Sequence, residues 1–229
     1  MRSGWFWGTP MWQEYLEEYA KTRPECLYEW KTSPLANDAD FSDLDKLVCP
    51  IPFDHVVSTH LSQVIDLRTH KWSDVRKSYR GLINKARKEL SVDEYKADFI
   101  GRDMGVFKSL HAKANGGQPR NDATYCCQKQ WVSSGHGMVV MATDWPTVYA
   151  AAYWILWNGG AYYMSGPSLR DNVQHAVIWK SLQLLKERDI TLVELGQIDG
   201  ETEKEKNIGK FKAGWGGEEK PFTIVRKKK

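Results

Sequence analysis

The residues that most narrow the fold are Asn158 and Gly159. An Asn-Gly pair between two strand-forming runs marks a two-residue β-hairpin. Both turn positions need positive φ, and these two residue types resist it least. The flanking runs 148–157 and 161–166 are rich in apolar and aromatic residues, and a third such run, 137–143, precedes them. Three strand patterns in quick succession predict an antiparallel meander. Gly166-Pro167-Ser168 then ends the last strand, a helical pattern covers 170–188, and the apolar run 190–195 closes on Gly196. Strand, helix and strand in direct sequence imply a crossover to a parallel neighbour. A charged helix over 201–211, a turn holding Gly214, Gly216 and Gly217, a strand over 221–225 and a basic tail complete the chain. The expected class is α/β (α+β), with a mixed, mostly antiparallel central sheet flanked by helices.

Upstream, the β-branched stretch 55–67 reads as a strand with a polar interruption. The segment 72–90 is the clearest helix. Trp72, Val75, Tyr79, Leu82, Ile83, Ala86 and Leu90 form one stripe, while Arg76, Lys77, Arg80, Lys85, Arg87 and Lys88 lie off it. Two short helices, 103–114 and 123–134, are joined by the turn-forming run Asn115-Gly116-Gly117-Gln118-Pro119. At the start, Thr9 as N-cap and Pro10 at the first helical position open a helix carrying Trp12, Tyr15, Leu16 and Tyr19, which Pro24 stops. Residues 33–52 mix Pro, Asn, Asp and Ser and read as a connection. The predicted organisation is an aromatic-rich N-terminal segment, 1–52, packed on a main domain, 53–229.

Composition excludes some classes. At 229 residues, 41% hydrophobic and 27% charged, the chain can close its own core. A net charge of +3 permits a phosphate-bearing partner without requiring one. Cys26, Cys49, Cys126 and Cys127 form no C-x-x-C pair, so reduced thiols in a cytoplasmic setting are expected, without a metal. Cys126 and Cys127 have no evident histidine partner and read as buried thiols. No stretch approaches the ~20 apolar residues of a membrane span, and no leader pattern opens the chain. The eleven tryptophans serve a core, an interface or base stacking equally well.

Local sequences carry a family resemblance. The run from Val75 to Ala86, VRKSYRGLINKA, resembles the basic helix of FemAB-like proteins, a branch of the GNAT acyltransferases. The run from Asn207 to Gly217, NIGKFKAGWGG, resembles their C-terminal Phe-Lys signature with its spaced glycines. Between them, Pro119-Arg120 with Tyr125, the stretch from Tyr162 to Ser168, and Val193-Glu194-Leu195-Gly196 fall in the family's order. The resemblance covers roughly residues 55–225. It implies a GNAT-like fold and a transferase. FemAB-like enzymes pass amino acids from aminoacyl-tRNA to an amine on a peptidoglycan precursor, and other GNAT proteins use acyl-coenzyme A. No tightly bound cofactor is implied; aminoacyl-tRNA or acyl-coenzyme A is the co-substrate.

Two departures stand out. FemAB enzymes carry two GNAT-like halves, whereas this sequence has room for one and a fragment. The glycine-rich pyrophosphate loop of ordinary GNAT proteins is replaced by Ser168-Leu169-Arg170-Asp171-Asn172-Val173-Gln174-His175-Ala176, which lacks the most permissive backbone positions for cradling a pyrophosphate.

The chemistry sets the roles to be filled. An amine attacking an ester or thioester carbonyl creates a negative oxygen that needs a donor or cation, and the amine must shed a proton. The resemblance assigns the first task to Lys212. For the proton acceptor, Glu194, Asp199, His175 and Tyr163 all remain open. By the same resemblance Arg120, ahead of the helix carrying Tyr125, grips a phosphate through its rigid fork, while Ser168 lies at the donor loop and Trp215 beside the substrate. Arg76, Lys77 and Arg80 either steer a tRNA or DNA backbone or form the wet face of their helix. The acceptor is an amine, on a cell-wall precursor or on a modified nucleobase. The competing class is a nucleic-acid-binding module that keeps the fold without catalysis.

Overall fold

A computed structural model of the chain describes residues 29–31, 55–95 and 100–227. The expected N-terminal helix, the connection 33–52, Cys26 and Cys49 lie outside the described residues.

The elements in order are β1 (Glu29–Lys31), β2 (His55–Asp66), α1 (Lys77–Glu89), β3 (Ser91–Glu94), α2 (Ile100–Asn115), α3 (Asp122–Ser133), β4 (Gly137–Asp144), β5 (Thr147–Trp157), β6 (Gly160–Ser165), α4 (Val173–Glu187), β7 (Leu192–Gln197), α5 (Glu203–Ala213) and β8 (Glu218–Lys227). They build one eight-stranded sheet in the order β1-β8-β2-β7-β6-β5-β4-β3. Among these strands β6 and β7 pair in parallel and every other neighbouring pair is antiparallel. The sheet is thus mixed and mostly antiparallel, as the alternation of patterns predicts. Part of the N-terminal segment joins it, since β1 extends the edge beside β8.

The Asn158-Gly159 turn connects β5 to β6 with φ of 48° and 77°, the positive pair that a tight two-residue hairpin demands. Side chains alternate between the two faces. Val193 and Leu195 of β7, Ala161 of β6 and Trp154 of β5 pack under α1 and α4 with Ile83, Val177 and Leu182. Tyr153, Ile155 and Tyr162 point the other way and pack with Phe107, Leu110 and Tyr125 of α2 and α3. With helices on both faces, the middle of β5 is buried without interruption, and each fully buried large side chain contributes about 1.5–3 kcal/mol.

α1 buries the expected stripe through Tyr79, Ile83 and Ala86. Its exposed face carries Lys77, Lys85, Arg87 and Lys88, while Arg80 is half-buried. One sequence expectation is corrected here. Cys126 and Cys127 are both exposed, because α3 turns Tyr125 and Gln128, three residues apart, into the core and leaves the two positions between them on the outward arc.

The feature that positions the site is where the parallel ladder ends. β6 and β7 pair at Gly160↔Leu192, Ala161↔Val193 and Tyr162↔Glu194, and no further. β6 nevertheless runs on to Ser165, staying with β5, and β7 runs on to Gln197, staying with β2. The two central strands therefore part beyond Tyr162 and Glu194. Backbone groups there leave the ladder, and a cleft opens within the sheet.

Candidate active site in the parted strands

Helix α5 brings Lys212 to this cleft. It starts with a capping box in which Thr202 accepts from the Glu205 amide and the Glu205 carboxylate takes the Thr202 amide. Such reciprocal capping fixes where the helix begins and hence where its last turn points. On that turn the Lys212 Nζ donates to the backbone carbonyl of Gln197 at 2.9 Å, just past the point where β7 leaves β6. Gly196 lies beside it with φ +81°, and a Cβ there would stand 3.2 Å from both the Lys212 Nζ and the Tyr162 hydroxyl. The left-handed backbone favours glycine, and an added Cβ would press on the ammonium and the phenol.

Glu194 and Tyr162 sit side by side in the ladder and so face the same way. Glu194 is buried, 4% exposed, and its Oε1 accepts the Ser62 hydroxyl at 2.9 Å. A carboxyl this deep needs such partners to offset the loss of water. Lys212, Glu194, Tyr162 and Ser62 thus gather around the end of the ladder.

On the same face, under α2 and α3, the Tyr125 hydroxyl lies 3.1 Å from His111 Nδ1. Arg120 is half-buried, and its charge bears on His111, Tyr125 and Tyr153. Burial, and secondarily this charge, push His111 below the usual histidine range. Burial holds the Tyr125 and Tyr153 phenols above the usual tyrosine value, against the pull of Arg120. Arg120 therefore stands near enough to Tyr125 for its charge to act on the phenol.

The remaining candidates lie elsewhere. Tyr163 points to the opposite face from Tyr162, packs on Trp154 with ring centroids 5.1 Å apart, and accepts from Gln174 Nε2 at 3.2 Å. Burial raises its phenol far above the ordinary value, so it holds its proton. His175 stands in an aromatic cluster with Tyr79, Phe211 and Trp215, at centroid distances of 4.3, 5.1 and 6.1 Å. Burial pushes its imidazole below the usual value. Trp215, expected beside a substrate, is fully buried at 0%; its ring fills the core under Tyr79 instead. Arg76 places its guanidinium 5.1 Å over the Tyr79 ring and donates to the Tyr79 hydroxyl at 3.3 Å. Lys77 is exposed on α1, and Arg80 is half-buried there. Ser168 donates to the Arg170 carbonyl at 2.7 Å, at the entrance to α4. There Asn172 takes the left-handed conformation, φ 67°. An open cavity of about 420 Å³ lies beside this turn, bordered by Lys85, Arg170 and Asn172.

Sequence reasoning did not single out Tyr162, Ser62, Gly196 or Gln197 as site residues. The period of two carries the signal for one of them: of the adjacent Tyr162 and Tyr163, only one can face the cleft. Among the described residues no group of three His, Cys, Asp or Glu side chains is arranged to hold a metal ion. No helix among them is long and apolar enough to cross a membrane.

No protein-family model matches the chain, and no curated protein matches it. Solved structures do share its fold. The C-terminal domain of a putative lysylphosphatidylglycerol synthetase from Agrobacterium fabrum superposes with a TM-score of 0.64 at 12% identity, covering 100% of this chain and 79% of that one. FemX superposes equally, with a TM-score of 0.64 at 12% identity, over 93% of this chain and 75% of that one. A GCN5-related glucosamine N-acetyltransferase region of a fungal multi-domain protein gives 0.50 at 11% identity, over 94% of this chain and 27% of that one. At such identities the likeness concerns the fold, which is of the GNAT type.

Proposed function

We propose that the chain transfers an acyl or aminoacyl group from an activated ester or thioester to an amine, in the manner of FemAB-like GNAT proteins. The observation that carries this reading is the place of Lys212. A cation held by a strand carbonyl beside a glycine, where two strands part, is set to meet negative charge on a carbonyl oxygen. Low local dielectric strengthens that interaction, and because the ammonium is already in place little reorganisation accompanies it. An arginine with a planar fork further along the same face, Arg120, suits the phosphate of a donor or acceptor. The cavity at the start of α4, with Lys85 and Arg170, suits another.

The donors that fit are aminoacyl-tRNA and acyl-coenzyme A. The exposed bases of α1, Lys77, Lys85, Arg87 and Lys88, favour a nucleic-acid backbone along that helix, either as the tRNA of the donor or as an acceptor bearing an amine on a nucleobase. A cell-wall precursor amine is the other acceptor. The fold of the FemX and synthetase structures supports the class of reaction, and a cytoplasmic setting goes with these co-substrates.

The test is label transfer. Purified protein is incubated with radiolabelled aminoacyl-tRNAs or acetyl-coenzyme A and with amine-bearing acceptors of both kinds, alongside Lys212→Ala. Transfer that disappears in the variant supports the reading. Absence of transfer from either donor class, or a variant equal to the parent, removes it.

A further inference from the structure

Ser58, His60 and Ser62 occupy alternate positions of β2 and share one of its faces. Ser62 ties that face to the cleft through its bond to Glu194. Two positions back, His60 Nε2 lies 2.9 Å from the Ser58 hydroxyl. On its other side Nδ1 lies 3.4 Å from Asp199 Oδ2 and 3.0 Å from the side-chain Nε2 of Gln197. Gln197 is also the residue whose backbone carbonyl receives Lys212. One residue therefore touches both the imidazole and the ammonium. The Phe222 ring, 5.8 Å from the imidazole centroid, packs beside it and limits its tilt. The side chains of His60 and Asp199 are 22% and 31% exposed, so a ligand arriving from solvent can reach them.

The geometry points to His60, oriented by Asp199, as the group that takes the proton from the attacking amine. This assignment rests on the transferase reading. Asp199 Oδ2 can only accept, so its pairing with His60 calls for the hydrogen on Nδ1 and leaves the lone pair on Nε2. The Gln197 carboxamide must then present its oxygen to Nδ1 in place of the Nε2 that faces the ring. The Asp199 contact, long for a hydrogen bond, is of the kind that tightens when substrate binds. The other candidates suit the task less. Tyr163 and His175 are occupied in packed surroundings, and Glu194 lies deeper, already engaged by Ser62.

The step balances as follows. The amine lone pair forms a C–N bond to the donor carbonyl carbon, and the C–O or C–S bond breaks, its electron pair leaving on oxygen or sulfur. The surplus proton of the amine passes to His60 Nε2, directly or through the Ser58 hydroxyl. The leaving oxygen or sulfur takes a proton from the Lys212 ammonium, and solvent returns the proton from the imidazolium to Lys212. One ester or thioester and one amine give one amide and one alcohol or thiol.

The experiment measures the same label transfer, from radiolabelled aminoacyl-tRNAs and from acetyl-coenzyme A, in the full chain and in His60→Gln, His60→Ala, Asp199→Asn and Ser58→Ala. His60→Gln keeps polar contacts while removing the proton acceptor, so kcat should fall by about 10²–10⁴-fold with KM for the donor unchanged. His60→Ala should fall alike and recover in part on adding imidazole, which a purely structural role does not produce. Asp199→Asn should lose less, and Ser58→Ala less again. The assignment is overturned by a His60→Gln enzyme with parental kcat, by a natively folded His60→Ala enzyme that imidazole does not restore, or by label trapped covalently on Ser58. If the parent transfers label and Lys212→Ala does not, those outcomes sink the histidine alone. A parent that transfers nothing sinks the transferase reading and this assignment with it.

Discussion

Phe211 and Lys212 are neighbours in sequence but belong to two different clusters. Phe211 joins Tyr79, His175 and Trp215 in a packed aromatic group, whereas Lys212 reaches the carbonyl of Gln197 at the parted strands. Both groups hold a histidine, and they handle it in opposite ways. His175 is walled by rings and pushed toward its neutral form by burial; His60 stands beside a carboxylate and within reach of solvent. The first cluster packs α5 against the core, and the second holds a cation at the parted strands. Packing and the proposed reactive group are separated by one residue along a helix.

The separation can be broken from the packing side first. Trp215→Ala should cost about 3–5 kcal/mol of unfolding free energy, as large-to-small changes in a filled core do, measured by urea denaturation. A loss under about 1 kcal/mol would mean that the aromatic cluster is no core. From the reactive side, Lys212→Ala should lower the transfer rate by about 10²–10³-fold, the cost of removing one oxyanion donor, with stability lower by no more than the about 0.5–1.5 kcal/mol of a lost hydrogen bond. A variant that unfolds in step with its loss of activity would merge the two clusters into one structural unit.

Gly196→Ala should register on both sides. The left-handed backbone costs about 1–2 kcal/mol with a Cβ present, and the added methyl presses on the Lys212 ammonium, so rate and stability fall together. Tyr79→Phe removes a hydroxyl that donates to the carbonyls of Lys210 and Phe211 at 3.3 Å, and should cost about 0.5–1.5 kcal/mol by the same denaturation assay. The smallest effect is one of pH. Burial holds His175 below its unfolded value of about 6.5. Below that pH the unfolded chain binds a proton that the folded chain refuses, so stability declines as pH falls and is unaffected above it. His111 acts in the same direction. His175→Gln should flatten part of that slope, read as denaturation midpoints across pH 5 to 8, the range in which histidine changes charge. A slope left intact would place the titration elsewhere.

Much of the fold was legible, and the exceptions are informative. The meander, the crossover helix and the helix carrying the Phe-Lys signature follow from periodicity and turn chemistry, and their bounds fall within a few residues of expectation. The strand Ser91–Glu94 was not foreseen, because its four residues include three polar ones and only pairing with β4 makes them a strand. The last strand begins earlier than expected, at Glu218, where charged residues extend the ladder with β2. Of the side chains gathered in the proposed site, Lys212, Glu194 and Asp199 were named from sequence, while His60 was hidden in what reads as a polar interruption of a strand. That interruption is the alternation Ser58, His60, Ser62 on one face of β2.

By itself the sequence determined the order and kind of the elements, the tight turn at Asn158-Gly159, the buried stripe of α1 and the basic charge of its outer face. These are local properties, set by backbone preference and by the spacing of apolar side chains. Only the tertiary structure decided which of two adjacent tyrosines faces the cleft, which tryptophan is core, and which histidine meets a carboxylate. Those outcomes depend on register between strands distant in sequence, and above all on the ladder between β6 and β7 ending at Tyr162 and Glu194. No local pattern encodes where two strands will part.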